Sequence, residues 1–141
     1  MGQFDVFGIM VTLEIAGVQS LFILLAQDGT INRLGTGAEG NADNDMFIGM
    51  SDGTAFAEVR PVAGPVIEKW IGSYGAPESE GKLCKLLVGF QTSDGKESMS
   101  RWEYGSESQG PPPEVVNVVV KAVEATESWW QEQKAMAARN K

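Results

Sequence analysis

An α+β fold, in which an antiparallel sheet of five or six strands built from β-hairpins carries two helices on one face, is what this sequence predicts. Three observations carry that expectation. Apolar residues alternate strictly at Ile9, Val11, Leu13 and Ile15 and again at Cys84, Leu86, Val88 and Phe90, the period of a strand with one buried face. Asp-Gly pairs at Asp28-Gly29 and Asp94-Gly95 supply tight turns, because glycine accepts positive φ without steric cost. Near the C-terminus a valine-rich stretch runs at helical spacing and needs an apolar sheet face to cover.

Taken in order, residues 9–16 form the first strand, and a short connection over residues 17–20 leads to a second at residues 21–26. That second run is apolar on both faces, as an interior strand is. The Asp28-Gly29 turn returns the chain into a third strand at residues 30–34. Gly, Asn and Asp dominate residues 35–45, a loop, and Met46 to Met50 reads as a short edge strand. A helical turn over residues 54–59, capped by Asp52 or Thr54, precedes a helix that starts at Pro65. This helix carries Val66, Ile67, Trp70 and Ile71 on one side and closes at Gly72 or Gly75.

A Pro, Ser and Glu-rich link over residues 76–82 leads to the strand of Cys84. The second Asp-Gly turn then gives a partner strand at residues 98–104, with Trp102 and Tyr104 on one face and Arg101 and Glu103 on the other. Pro111, Pro112 and Pro113 start the last helix, and Glu114 suits the positive end of its dipole. From Val115 to about Met136 its apolar stripe is Val116, Val119, Val120, Val123 and Trp130, widened by Val115, Val118, Ala122 and Trp129, and it frays beyond Met136. The hairpin, connection and Trp-bearing helix echo each other once, which short Asp-Gly turns do by chance. A single domain spanning residues 1–141 is the expectation.

Composition narrows the chemistry. The chain has no histidine and one cysteine, Cys84, in an apolar run, so the usual general base is missing and the thiol reads as a core residue in a reducing, cytoplasmic setting. No basic N-terminal region and no uninterrupted apolar span argue for a secretory signal or a membrane helix. A formal net charge of −8, from 11 basic and 19 acidic residues, argues against a nucleic-acid partner. No Lys or Arg occurs from Leu34 to Val59, whereas Glu39, Asp43, Asp45, Asp52 and Glu58 do. Such a run is a solvated acidic face or a surface that steers a partner.

Two motif-like coincidences fall in that run. Gly35, Gly37 and Gly40 match the letters of a dinucleotide loop, but the acidic residues that follow do not open an apolar helix, so no cofactor is expected. Asn41, Asp43, Asp45 and Asp52 reproduce positions one, three, five and twelve of a calcium loop, with Met46 where glycine belongs and the shorter Asp in last place; they are the calcium candidates.

The serines lack a histidine or a nucleophile elbow, and no catalytic residue is assigned. Exposed aromatics beside a rigid proline segment make Trp102, Tyr104, Glu107 and Pro112 the second protein-binding candidate, beside Asp43 and Asp45 in the acidic loop. Trp129 and Trp130, about 100° apart on a helix, cannot both face one core, so one belongs at a rim or an oligomer interface. The sequence-level expectation is a small non-catalytic domain that binds a protein partner or another copy of itself. The alternative is a small-ligand or metal-binding protein, possibly enzymatic, with a pocket between the sheet and the last helix lined by Trp102, Tyr104 and Arg101.

Overall fold

Seven strands form one mixed sheet in the order β4-β3-β2-β1-β6-β7-β5 in the computed structural model, which describes residues 6–37, 46–75, 80–92, 97–108 and 110–139. The strands are β1 (Val6–Ile15), β2 (Val18–Ala26), β3 (Thr30–Leu34), β4 (Met46–Met50), β5 (Gly72–Gly75), β6 (Leu83–Thr92) and β7 (Glu97–Gly105). Two helices complete the fold, α1 (Thr54–Lys69) and α2 (Pro113–Arg139). Among the described residues no helix is long and apolar enough to cross a membrane.

The alternation read from the sequence sets which side chains face the helices. Ile9, Val11, Ile23, Leu25, Ile31, Leu86, Val88 and Phe90 are buried in one core with Phe56, Val59, Ala63 and Val66 of α1 and Val115, Val118 and Ala122 of α2. Register aligns them, with Val11 opposite both Ile23 and Val88 and Ile9 opposite both Leu25 and Phe90. Each such side chain taken fully out of water is worth about 1.5–3 kcal/mol. Cys84 is likewise buried, and its Sγ donates to the Lys82 carbonyl at 3.6 Å.

The sheet differs from the expectation at its edge. Gly72–Gly75, read as a helix stop, is a short strand parallel to β7, so the sheet has seven strands and is mixed, not five or six and purely antiparallel. Gly72 at φ 137° turns the chain out of α1 into this strand, a backbone state open to glycine. The first hairpin is also tighter than expected: Ala16 and Gly17, at φ 53° and 80°, make a two-residue turn, and Ile15 pairs with Val18.

Helix α1 runs unbroken through Pro61 and Pro65, where the sequence suggested two pieces. The prolines are four residues apart, so the N–H that Pro65 lacks would have bonded the carbonyl of Pro61, and the one Pro61 lacks the carbonyl of Ala57. Ala57, Pro61 and Pro65 are all exposed, so the unbonded carbonyls face water while Phe56, Val59, Ala63 and Val66 hold the opposite side in the core. At about 1.5 Å per residue the helix is about 24 Å long, close to the width of a seven-strand sheet at about 4.8 Å per strand. It can therefore leave β4 at one edge and deliver β5 to the other.

Helix α2 extends past Met136 to Arg139, and its buried line is Val115, Val118, Ala122, Thr126 and Trp130. Val116 and Val120, placed on the core face by the sequence, are exposed. A buried arginine accounts for the rotated stripe. Arg33 on β3 is fully buried beneath α2, with Nε donating to the Gly35 carbonyl at 2.9 Å and Nη1 to Thr126 Oγ1 at 2.8 Å and to the Val123 carbonyl at 3.2 Å. Its guanidinium lies 4.2 Å from the centroid of the Trp130 ring, and the Lys134 ammonium lies 4.0 Å from that centroid. Trp130 and Thr126 are thus drawn to the core because a cation there needs a π face and acceptors.

Candidate functional site

A concavity that gathers acidic side chains lies between the two helices at the β4 edge. Its floor is Ile31, its near wall Ser51, Asp52, Thr54, Ala55 and Glu58, and its far wall Glu124, Ala125, Ser128, Trp129 and Glu132, around a cleft of about 530 Å³. Helical spacing builds both walls. Glu124, Ser128 and Glu132 recur every four residues along α2, and Thr54 and Glu58 do so on α1, so each set shares one face. Four carboxylates line this space and no lining residue is basic.

Two local devices shape it. The Asp-Gly turn between β2 and β3 holds the start of α1: the Gly29 carbonyl accepts from the Ser51 N–H at 2.8 Å and from its hydroxyl at 2.9 Å. Asp52 Oδ1 accepts from the Thr54 N–H at 3.0 Å. The Thr54 hydroxyl, and after it that N–H, hold the Asp52 carboxyl below the ordinary carboxylate range, so it is an anion at neutral pH. Opposite, a Cβ on Gly49 would stand 3.1 Å from the Trp129 ring, so the absence of a side chain on β4 lets Trp129 lean over the strand as a half-buried wall. The arrangement suits a cationic group: carboxylates on both walls, with the Trp129 ring among those of the far one.

Of the residues singled out from sequence, Asp52 lies in this cleft. Asn41, Asp43 and Asp45 lie outside the described residues, and the extended strand β4 separates Asp52 from them along the chain, a run of five residues. Among the described residues no group of three or more His, Cys, Asp or Glu side chains is placed to hold a metal ion. Of the dinucleotide-like glycines, Gly35 accepts from Arg33 through its carbonyl, and Gly37 donates its N–H to the Ser20 carbonyl at 2.9 Å.

Trp102 and Tyr104 sit on the helix side of the sheet, half-buried against the core. Trp102 stacks on Tyr74 at 4.3 Å between centroids and meets Trp70 at 5.6 Å, and its Nε1 donates to Ser100 Oγ at 2.6 Å. Burial, and after it the charge of Cys84, pushes the Tyr104 hydroxyl above its ordinary value. Arg101 points to the opposite face, where Nη2 lies 3.2 Å from Met99 Sδ, yet it and Trp102 both border a concavity of about 370 Å³ with Tyr74 and Lys85, whose lining does not include Tyr104. Glu107 is exposed, and its N–H donates to the Glu80 carbonyl at 2.9 Å. Pro112 caps α2 by accepting from the N–H groups of Val115 and Val116.

On the sequence alone, Trp129 and Trp130 have one rim position between them. The structure buries Trp130 and puts Trp129 at the cleft. The signal for the far wall was present as the four-residue spacing of Glu124, Ser128 and Glu132 beside Trp129. No protein family, curated protein or solved structure matches the chain.

Proposed function

We propose that this chain is a non-catalytic protein-binding domain whose α1–α2 cleft takes a basic segment of a partner protein. The observation that carries the reading is the cleft itself, with Asp52, Glu58, Glu124 and Glu132 around Trp129 and no base among the lining residues. A lysine or arginine side chain entering it meets four solvent-exposed carboxylates and the half-buried Trp129; each exposed ion pair is worth little, so the attraction rests on their number and on the aromatic contact. The volume falls within the range of specific ligand sites, about 300–1,000 Å³, enough for one or two side chains but not a folded domain. The net charge of −8 favours encounter with a basic partner, and Asp52 closes the base-free run that begins at Leu34. On this reading Asp43 and Asp45 steer the approach, and the buried lone Cys84 suits a reducing, cytoplasmic setting.

The test is a calorimetric titration with a ten-residue Lys/Arg peptide and an acidic control. Binding of the basic peptide alone, weakened about tenfold or more by Glu124→Lys with Glu132→Lys and by raised salt, is the expected result. Equal binding by the charge-reversed chain would overturn the assignment. The small-ligand alternative shares this cleft and predicts that a free diamine binds as tightly as the peptide.

A further inference from the structure

The sheet face turned away from both helices has no element packed on it among the described residues, and its composition is uneven. Register lays it out in rows. One row reads Ile48, Asn32, Leu24, Met10, Gly89 and Met99, the next Met46, Leu34, Phe22, Thr12, Leu87 and Arg101, and a third Glu14, Lys85 and Glu103. The first two rows are mostly apolar, and at the β4 edge Ile48 and Met50 are 71% and 64% exposed. Gly8 and Gly89 leave a shallow apolar notch of about 100 Å³ at the centre, bordered by Met10, Leu24 and Met99. Soluble monomers rarely expose an apolar patch beyond a few hundred Å².

We propose that this face is the interface between two copies of the chain, stacked sheet on sheet about a two-fold axis. Charge selects the occupant. The described charged side chains in these rows are two acids, Glu14 and Glu103, and two bases, Lys85 and Arg101, whereas the whole chain carries −8. Lys85 stands in register between Glu14 and Glu103, so a two-fold axis can set acid against base in both copies at once. These three rows balance in charge, and Glu97 stands in register with Gln91 at the end of the next row; a nearly balanced, self-complementary patch is one that two strongly acidic copies can share with less repulsion than they meet elsewhere. Area agrees: the rows run from β4 to β7, five strand intervals of about 4.8 Å, which with about 25 Å of strand give about 600 Å², the lower end of what a stable interface buries per partner.

Sedimentation equilibrium of the full chain across about 1–100 μM tests it. The expected result is a concentration-dependent mass rising to twice 15.2 kDa. Ile48→Glu at the exposed rim and Met10→Glu at the centre, each with wild-type circular dichroism, each weaken association about a hundredfold, because the symmetry counts every substitution twice. If Met10→Glu fails to fold, Met99→Glu probes the far side of the same face. A wild-type chain that stays monomeric overturns the proposal. So does association lost in Ile48→Glu but kept in the folded central or far-side variant, which would mean pairing of β4 edges instead.

Discussion

Removing the Arg33 guanidinium is the sharpest perturbation of the scaffold that positions the cleft. Arg33 is fully buried and, among its contacts, donates to the Gly35 carbonyl, the Val123 carbonyl and the Thr126 hydroxyl and lies against the Trp130 ring. Glu127 Oε2, 3.8 Å from Arg33 Nη1, is buried although the side chain as a whole is about half exposed, so removing the arginine leaves that oxygen without its cation. Hydrogen bonds from a charged group contribute about 1.5–3 kcal/mol each, while the desolvation that the guanidinium suffers on burial offsets several kcal/mol of that gain. Arg33→Ala loses the bonds and leaves a cavity, and costs about 3–5 kcal/mol. Arg33→Met keeps the volume and costs about 1–3 kcal/mol. Urea unfolding followed by far-UV circular dichroism measures both, and against a typical total of about 5–15 kcal/mol the alanine variant is near the edge of folding. An Arg33→Ala cost below about 1 kcal/mol, or equal costs for Ala and Met, would refute the view that Arg33 joins β3 to α2 through its bonds as well as its bulk.

Three further outcomes follow from the same geometry. Gly49→Val sets a branched side chain against Trp129, costs about 1–3 kcal/mol by overpacking, and shifts the Trp129 fluorescence, read by subtraction with Trp129→Phe; an unchanged spectrum and stability would mean the ring does not lean on β4. Asp28 Oδ1 accepts the Thr30 N–H at 2.9 Å and its hydroxyl at 2.7 Å, bonds that hold its carboxyl below the ordinary value of 3.8. Its contribution is therefore present above that value and lost as pH falls through the lower folded one. Thr30→Val, which removes the hydroxyl bond, makes the acid-side loss of stability shallower, and an identical acid profile would contradict this. Tyr104, raised above 10.0 by burial first and by Cys84 second, stabilises fully below its unfolded value and loses that contribution as pH rises through the folded one. Tyr104→Phe flattens the alkaline decline, as urea midpoints at about pH 9 and pH 11 will report.

The antiparallel hairpins were legible because each rests on local chemistry: two-residue alternation fixes the face, and Asp28-Gly29 fixes the turn. Strand β5 was not, since Gly72–Gly75 is four residues without an apolar pattern and exists only because β7 offers an edge. The continuity of α1 was hidden by Pro61, Gly64 and Pro65, whose penalty is small where the orphaned carbonyls face water. In α2 neighbouring valines fit several helix phases, and the choice was made by Arg33, a residue of another strand that periodicity cannot weigh. The cleft was half legible. Asp52 belonged to a visible acidic run, but Glu124 and Glu132 acquire meaning only when α2 lies beside the start of α1.

The most direct test of the proposed binding function is an amide and indole chemical-shift map of the isotope-labelled chain titrated with the Lys/Arg peptide. The account predicts saturable shifts concentrated at residues 51–58 and 124–132 and at the Trp129 indole, fading as salt is raised. Shifts centred on the open sheet face or on Trp102 and Tyr104, or no shift at all, would contradict it.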